Sequence, residues 1–163
     1  MKILSKENIK KELTAVFSVE YLGSETEENN IILNIEDINK ITNNKHLLVM
    51  SSFEQYCPNS AQKAIELIVL DFEENNKSLI EADGILVCFQ VNSDYNIMNF
   101  VEAMEIIYSR WNDKAMLNEP DVIFGVSCDN RLKDDYVKAT VFMGYSKKIN
   151  ASYANNYISI SSI

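Results

Sequence analysis

Apolar residues recur along this chain in two periods, and the switches between them mark out the elements. Ser5 precedes a stretch in which Ile9, Leu13, Val16, Phe17 and Tyr21 return at helical spacing, so a capped helix is predicted from Ser5 until Gly23 stops it. Ser24 to Asn30 is acidic and unpatterned, and reads as a loop. Ile31 to Ile35 is a short extended piece, and a short helix starts at Glu36 with Ile38 and Ile41 on one side. Leu47 to Met50 is a buried-strand run. A helix then starts at Asn59 or Ser60 and carries Ala61, Ala64, Ile65, Ile68 and Phe72 on one face. Ile85 to Val91 is the strongest strand. A loop around Ser93 and Asp94 leads into a helix bearing Ile97, Val101, Met104, Ile107, Tyr108 and Trp111. Val122 to Val126 and Val137 to Tyr145 are strands. Asn-Asn pairs at 29–30, 43–44, 75–76 and 155–156 fall where periodicity stops, as expected of a residue that tolerates the left-handed conformation.

The resulting order is a leading helix followed by α-β-α-β-α-β-β. It predicts an α+β fold, a two-layer sandwich of a four-stranded mixed sheet with helices packed on it. Three regions are expected: residues 1–30, an N-terminal helix and acidic loop; residues 31–146, the main domain; and residues 147–163, a polar tail or added strand. Val87 and Phe124 sit in apolar runs too short for buried helices, which places both in the core on central strands. Gly125, inside an apolar strand, suits a close backbone approach or a bulge. Leu132 and Lys133 to Asp135 suit a polar reversal between adjacent antiparallel strands.

Composition narrows the class. A chain of 163 residues buries roughly 70% of its unfolded surface, enough for one ordinary core. Its four glycines, Gly23, Gly84, Gly125 and Gly144, are 61, 41 and 19 residues apart. Glycine-rich phosphate loops and dinucleotide fingerprints need two or more within six or seven residues, so neither is encoded. Fifteen basic against 24 acidic residues give a net charge of −9, a field that repels nucleic-acid backbones. Cys57, Cys88 and Cys128 are odd in number and widely spaced, and read as buried free thiols of a reducing compartment. With His46 the only histidine and no C-x-x-C, neither a metal site nor a cofactor is expected. The N-terminus turns polar before a signal-peptide core develops, and no apolar run approaches 18 residues, so a cytoplasmic protein without membrane association is expected.

One stretch is more specific. Asp121-Val-Ile-Phe-Gly-Val-Ser-Cys-Asp-Asn-Arg-Leu-Lys-Asp-Asp-Tyr-Val-Lys-Ala-Thr-Val-Phe-Met-Gly-Tyr145 resembles a pattern of the C-terminal domain of FtsZ, the bacterial tubulin homologue. That pattern is an I-F-G strand, a short N/D-x-x-L-x-D link and a valine-rich strand ending in Gly-aromatic. Ala82-Asp-Gly-Ile-Leu86 resembles the family's A-x-G-V-L strand entry, and Ser93 to Ile107 its D-L-x-L-x-E-V-x-E-A helix. Asn59 with Ala61 to Ala64 fits the N-R-A-x-x-A start of an earlier helix. The resemblance runs from about Ile31 to Tyr145, in one order and almost without insertions. The resemblance does not extend to the family's GTPase domain, which precedes this region, so no GTPase activity of its own is expected.

In the family this domain contributes an acidic loop, N-x-D-x-x-D, that reaches the GTP of the neighbouring subunit and helps activate water. The resemblance aligns Asn34-Ile-Glu-Asp37 with it, Asp37 on the second aspartate and Asn34 on the first. An amide cannot act as a base, so the resemblance implies association without catalysis. Asn34, Glu36 and Asp37 are thus the candidate partner-facing residues, and their alternative reading is a helix cap with favourable negative charge.

The expected function is a non-catalytic protein-binding module that associates with an FtsZ- or tubulin-like filament, or with another division or plasmid-segregation protein. Two alternatives stand beside it. One is a small-molecule enzyme with a trimeric, chorismate-mutase-like intersubunit cleft, for which the two arginines, Arg110 and Arg131, are a sparse supply of anion-binding forks. The other is a structural homo-oligomer that pairs sheet edges.

Overall fold

The computed structural model describes residues 1–16, 33, 35–112 and 120–146. The elements are β1 (Lys2–Leu4), α1 (Lys6–Val16), α2 (Ile35–Thr42), β2 (Leu47–Tyr56), α3 (Ser60–Glu74), β3 (Gly84–Val91), α4 (Met98–Asn112), β4 (Asp121–Cys128) and β5 (Tyr136–Tyr145), with a 3-10 turn at Leu79–Glu81. They form an α+β fold around one mixed five-stranded sheet of order β1-β2-β5-β3-β4. Among the described residues, no helix is long and apolar enough to cross a membrane.

Alternation along the strands divides the core in two. Ile85, Val87, Phe89 and Val91 of β3, with Val137, Ala139, Val141 and Met143 of β5, face α3 and α4. Leu86 and Cys88 point the other way, joining Phe142 and Leu48 under Leu4, Ile9 and Leu13 of the N-terminal segment and Ile38 and Ile41 of α2. A strand buried on both faces reads as a continuous apolar run, which is why β3 was the clearest strand in the sequence. Burial holds the Cys88 thiol in its neutral form, its pKa pushed well up.

Several expectations change. The sheet has five strands, not four, because Lys2 to Leu4 pairs antiparallel with Met50 to Leu48. Three residues are too few for a periodic signal. The second face is covered in part by α1 and α2, so helices lie on both sides of the sheet. The strand expected at Leu47 to Met50 continues to Tyr56, paired along its whole length with β5. Ser5 does begin the first helix: its carbonyl accepts from the Asn8 and Ile9 amides at 3.1 and 3.2 Å, and its hydroxyl oxygen from Asn8 at 3.3 Å. The expected extension of that helix through Phe17 and Tyr21, the acidic loop and the tail 147–163 lie outside the described residues.

The reversal at Leu132 to Asp135 does not join adjacent strands. β4 pairs parallel with β3, and β5 pairs antiparallel with β3 and β2, so β3 lies between β4 and β5. The connection arches over the end of β3. Asp129 donates its amide to the Val91 carbonyl at 2.8 Å, and the buried Asn92 amide group donates to the Leu132 carbonyl at 2.6 Å. Residues 129–135 readily cover the roughly 10 Å of two inter-strand spacings. The register Val87↔Phe124, Cys88↔Gly125, Phe89↔Val126 runs without a break, so Gly125 marks no bulge. Val87 is fully buried, as expected, whereas Phe124 lies on the edge strand β4 and is only half-buried.

Candidate functional site

The candidate acidic residues belong to α2. Its sequence, Ile-Glu-Asp-Ile-Asn-Lys-Ile-Thr, puts Ile38 and Ile41 on one side, and both are buried. Glu36 and Asp37 occupy the first turn and Lys40 the last, the arrangement a helix dipole favours. Thr42 donates its hydroxyl back to the Ile38 carbonyl at 2.9 Å, and Asn44, at φ 59°, ends the helix in the left-handed region.

What seats α2 is a pair of glycines. Gly84 on β3 and Gly144 on β5 stand opposite each other in register, under the C-terminal turn of the helix. A Cβ at Gly84 would lie 2.9 Å from Ile41 Cδ1 and 3.3 Å from Ile41 Cα. At Gly144 it would lie 2.5 Å from the Ile41 carbonyl oxygen. Side chains there would lift the helix off the sheet. Both glycines belong to motifs that carried the family resemblance, and the contact with α2 supplies their physical reason.

Asp83 ties the same end of the sheet together. Its carboxylate accepts from the Ser146 amide and lies 3.7 Å from Lys45 Nζ, while Lys45 donates to Ser146 Oγ at 3.1 Å. Its backbone donates to the Gly144 carbonyl at 2.9 Å and accepts from the Asp121 amide at 3.1 Å. The start of β3 is thereby fastened to the start of β4, the end of β5 and the turn after α2.

On this seat Glu36 is exposed and Asp37 half-buried, with Asp37 Oδ1 3.8 Å from Lys40 Nζ one turn on. The structure therefore brings Glu36 and Asp37 together on one helical turn; Asn34 lies outside the described residues. Chemically the turn offers negative charge toward a cation or a donor-rich surface, with the lysine able to compete for Asp37. Among the described residues, no group of three or more His, Cys, Asp or Glu side chains gathers closely enough to hold a metal ion.

A second polar cluster escaped the sequence reading. The Met1 ammonium lies 2.6 Å from Asp71 Oδ2, and Ser51 Oγ donates to the same oxygen, where α3 crosses β2. Burial works to raise the Asp71 pKa, but the hydrogen bonds from the ammonium and Ser51, with the ammonium's charge, outweigh it and hold it below the usual value. Only the alternation of β2, which turns Ser51 toward α3, hinted at such a partner.

With this geometry in hand, the class of fold is clear: a mixed sheet with helices packed on it that matches part of the tubulin-like filament proteins, consistent with their C-terminal domain. A point mutant of FtsZ from M. jannaschii superposes with a TM-score of 0.60 at 18% identity, over 85% of this chain and 39% of that one. An empty FtsZ dimer from the same organism gives 0.59 at 18% identity, over 86% and 40%. TubZ of Bacillus thuringiensis serovar israelensis, solved as a GTPγS-form protofilament, gives 0.51 at 11% identity, over 85% and 33%. The chain thus spans 33–40% of the length of these structures. No protein-family model matches the sequence, and no curated protein matches it.

Proposed function

We propose that this protein is a non-catalytic binding module whose partner is a filament of the FtsZ/tubulin type. The observation that carries the reading is the superposition of 85% of the chain on about two fifths of FtsZ, in which that fold is one part of a larger chain. The sequence holds no glycine-rich phosphate loop, so the module neither binds nor hydrolyses GTP by itself. A domain that binds a filament end slows growth by occupying it, through mass action. Glu36 and Asp37 are the residues that meet the partner, with Asn34 beside them in sequence.

Co-sedimentation with polymerising FtsZ from the same cell tests this. The expected result is pelleting with the polymer and slower growth, without faster GTP turnover. Absence of co-sedimentation at concentrations well above those of the cell would sink the filament reading. Calorimetry of the isolated protein with GTP is expected to show no binding, and micromolar affinity would overturn the non-catalytic assignment.

A further inference from the structure

The two edges of the sheet are built differently. At one edge β1 is three residues long and carries Lys2, whose side chain is largely exposed. Short length and an edge lysine are the usual devices against strand addition. At the other edge β4 runs for eight residues with an unbroken register to β3, and from Val122 to Cys128 it contains no charge and no proline. Among the described residues no other strand pairs with its outer side. Val122, Ile123 and Phe124 are only half-buried there.

The helix above continues that edge. Phe100 of α4 packs at a tilt on Phe89 of β3, ring centroids 4.8 Å apart, and both share a core cluster with Val126 and Cys128 of β4, which sets α4 over the β3–β4 side of the sheet. Gln62 of α3 donates to Glu102, and Glu73 of α3 lies 3.7 Å from Arg110, so α3 flanks the side of α4 that carries 102, 106 and 110. Ile97, just ahead of α4, and Val101, one turn on, fall on the opposite side at helical spacing, with exposed Glu105 a further turn along. Ile97 and Val101 are 60% and 49% exposed, and neighbouring Met98 is 56% exposed. The N-terminal end of the outer flank of α4 and the outer edge of β4 thus form one largely apolar side of the molecule.

We infer that this side is where a second copy of the chain docks, β4 against β4 in antiparallel fashion, extending the sheet across a two-fold axis with α4 beside its mate. The exposed part of Ile97, Met98 and Val101 amounts to on the order of 300 Å2, the size of a large apolar patch on a monomer. Eight residues of strand edge with three half-buried apolar side chains add a similar amount, which approaches the roughly 800 Å2 per partner of a stable interface. A centre at Phe124 sets Val122 opposite Val126 and Ile123 opposite Gly125, apolar throughout. The net charge of −9 opposes self-association, and the face itself carries Asp121 on β4 and exposed Glu105 on α4, a repulsion that salt screens. The dimer therefore tightens as salt rises, opposite to an ion-paired interface. This inference stands apart from the filament reading, since each can fail alone.

Sedimentation velocity between about 1 and 100 μM, a range that brackets ordinary dimer affinities, is the test, with melts to confirm folding of each variant. The wild type is expected near twice its 18.6 kDa mass at the upper end. The double variant Ile97→Glu, Val101→Glu is expected to remain a monomer, with dissociation raised at least about 100-fold, as hot-spot loss of some 2.7 kcal/mol implies. Leu70→Glu, equally exposed on α3, is expected to dimerise like wild type. Hydrogen exchange of amides 121–128 should slow as concentration rises. A wild-type monomer throughout, a dimer indifferent to the double variant, or concentration-independent exchange in β4 would each overturn the inference. A monomer that pellets with FtsZ unless Ile97 and Val101 are replaced would also overturn it, and assign the surface to the filament.

Discussion

A Cβ on Gly144 would meet the Ile41 carbonyl oxygen at 2.5 Å and Lys45 Cγ at 2.9 Å, distances that real Cβ atoms essentially never show. The lysine can swing away, but a backbone carbonyl in a seated helix cannot. Gly144→Ala is accordingly expected to lower stability by about 2–3 kcal/mol, the upper range for overpacking, read from the urea midpoint. Gly84→Ala should cost less, because its closest contact is the flexible tip of Ile41. Asp71 is a different kind of residue-level commitment. Its carboxylate has a folded pKa below the ordinary 3.8, so its contribution is complete above the unfolded value and is lost as pH falls below about 3.8 through the lower folded value. Asp71→Asn is expected to melt at a lower temperature than wild type at pH 7, with the gap closing toward pH 2. A constant gap across that range would show that the charge is not what Asp71 contributes.

At the scale of elements, the position of a strand in the sheet decides what its side chains are worth. Val87 lies on the central strand β3, fully buried on the face covered by α3 and α4, and Val87→Ala, which removes two buried methyl groups, should cost about 1.5–3 kcal/mol. Phe124 on the edge strand is half-buried, so Phe124→Ala is expected to cost less than the 3–5 kcal/mol typical of a core phenylalanine. Chemical denaturation measures both variants; a loss at Phe124 in the full 3–5 kcal/mol range would mean that its edge is covered. Asp37 makes its contribution to α2 through the first-turn charge and the i,i+3 contact with Lys40. A purely structural role predicts that Asp37→Ala costs about 0.3–1 kcal/mol and leaves FtsZ co-sedimentation unchanged. Under the proposed function, the same substitution weakens co-sedimentation by more than its melt explains.

For the whole molecule, the periodic signals carried a long way. Helices α3 and α4 and strands β3 and β5 were each found within about two residues, because a buried face repeats locally at 3.6 or 2 residues whatever its partner is. The α+β class followed from their order, and the resemblance to the FtsZ C-terminal domain followed from short motifs of α3, β3, α4, β4 and β5; the chain as a whole superposes on part of FtsZ. The acidic turn was legible as Glu36 and Asp37 ahead of Ile38. Its seating was not, since the need for glycine at 84 and 144 arises from Ile41, more than 40 residues away from either in sequence.

Sequence alone therefore determined the kinds of element, their order and the lack of an encoded phosphate loop, all of which depend on residues near one another in the chain. Which strand lies beside which was decided only by the tertiary structure. The segment from Asp129 to Asp135 has the composition of a hairpin turn, and nothing in it tells that β3 lies between the strands it joins. Lys2 to Leu4 becomes a strand only because β2 offers an edge, and Phe124 is half-exposed only because β4 ended up outermost. These outcomes are settled by pairings between distant residues, Leu4 with Leu48 or Gly84 with Gly144, whose backbone hydrogen bonds are the same for any sequence and so leave no local trace.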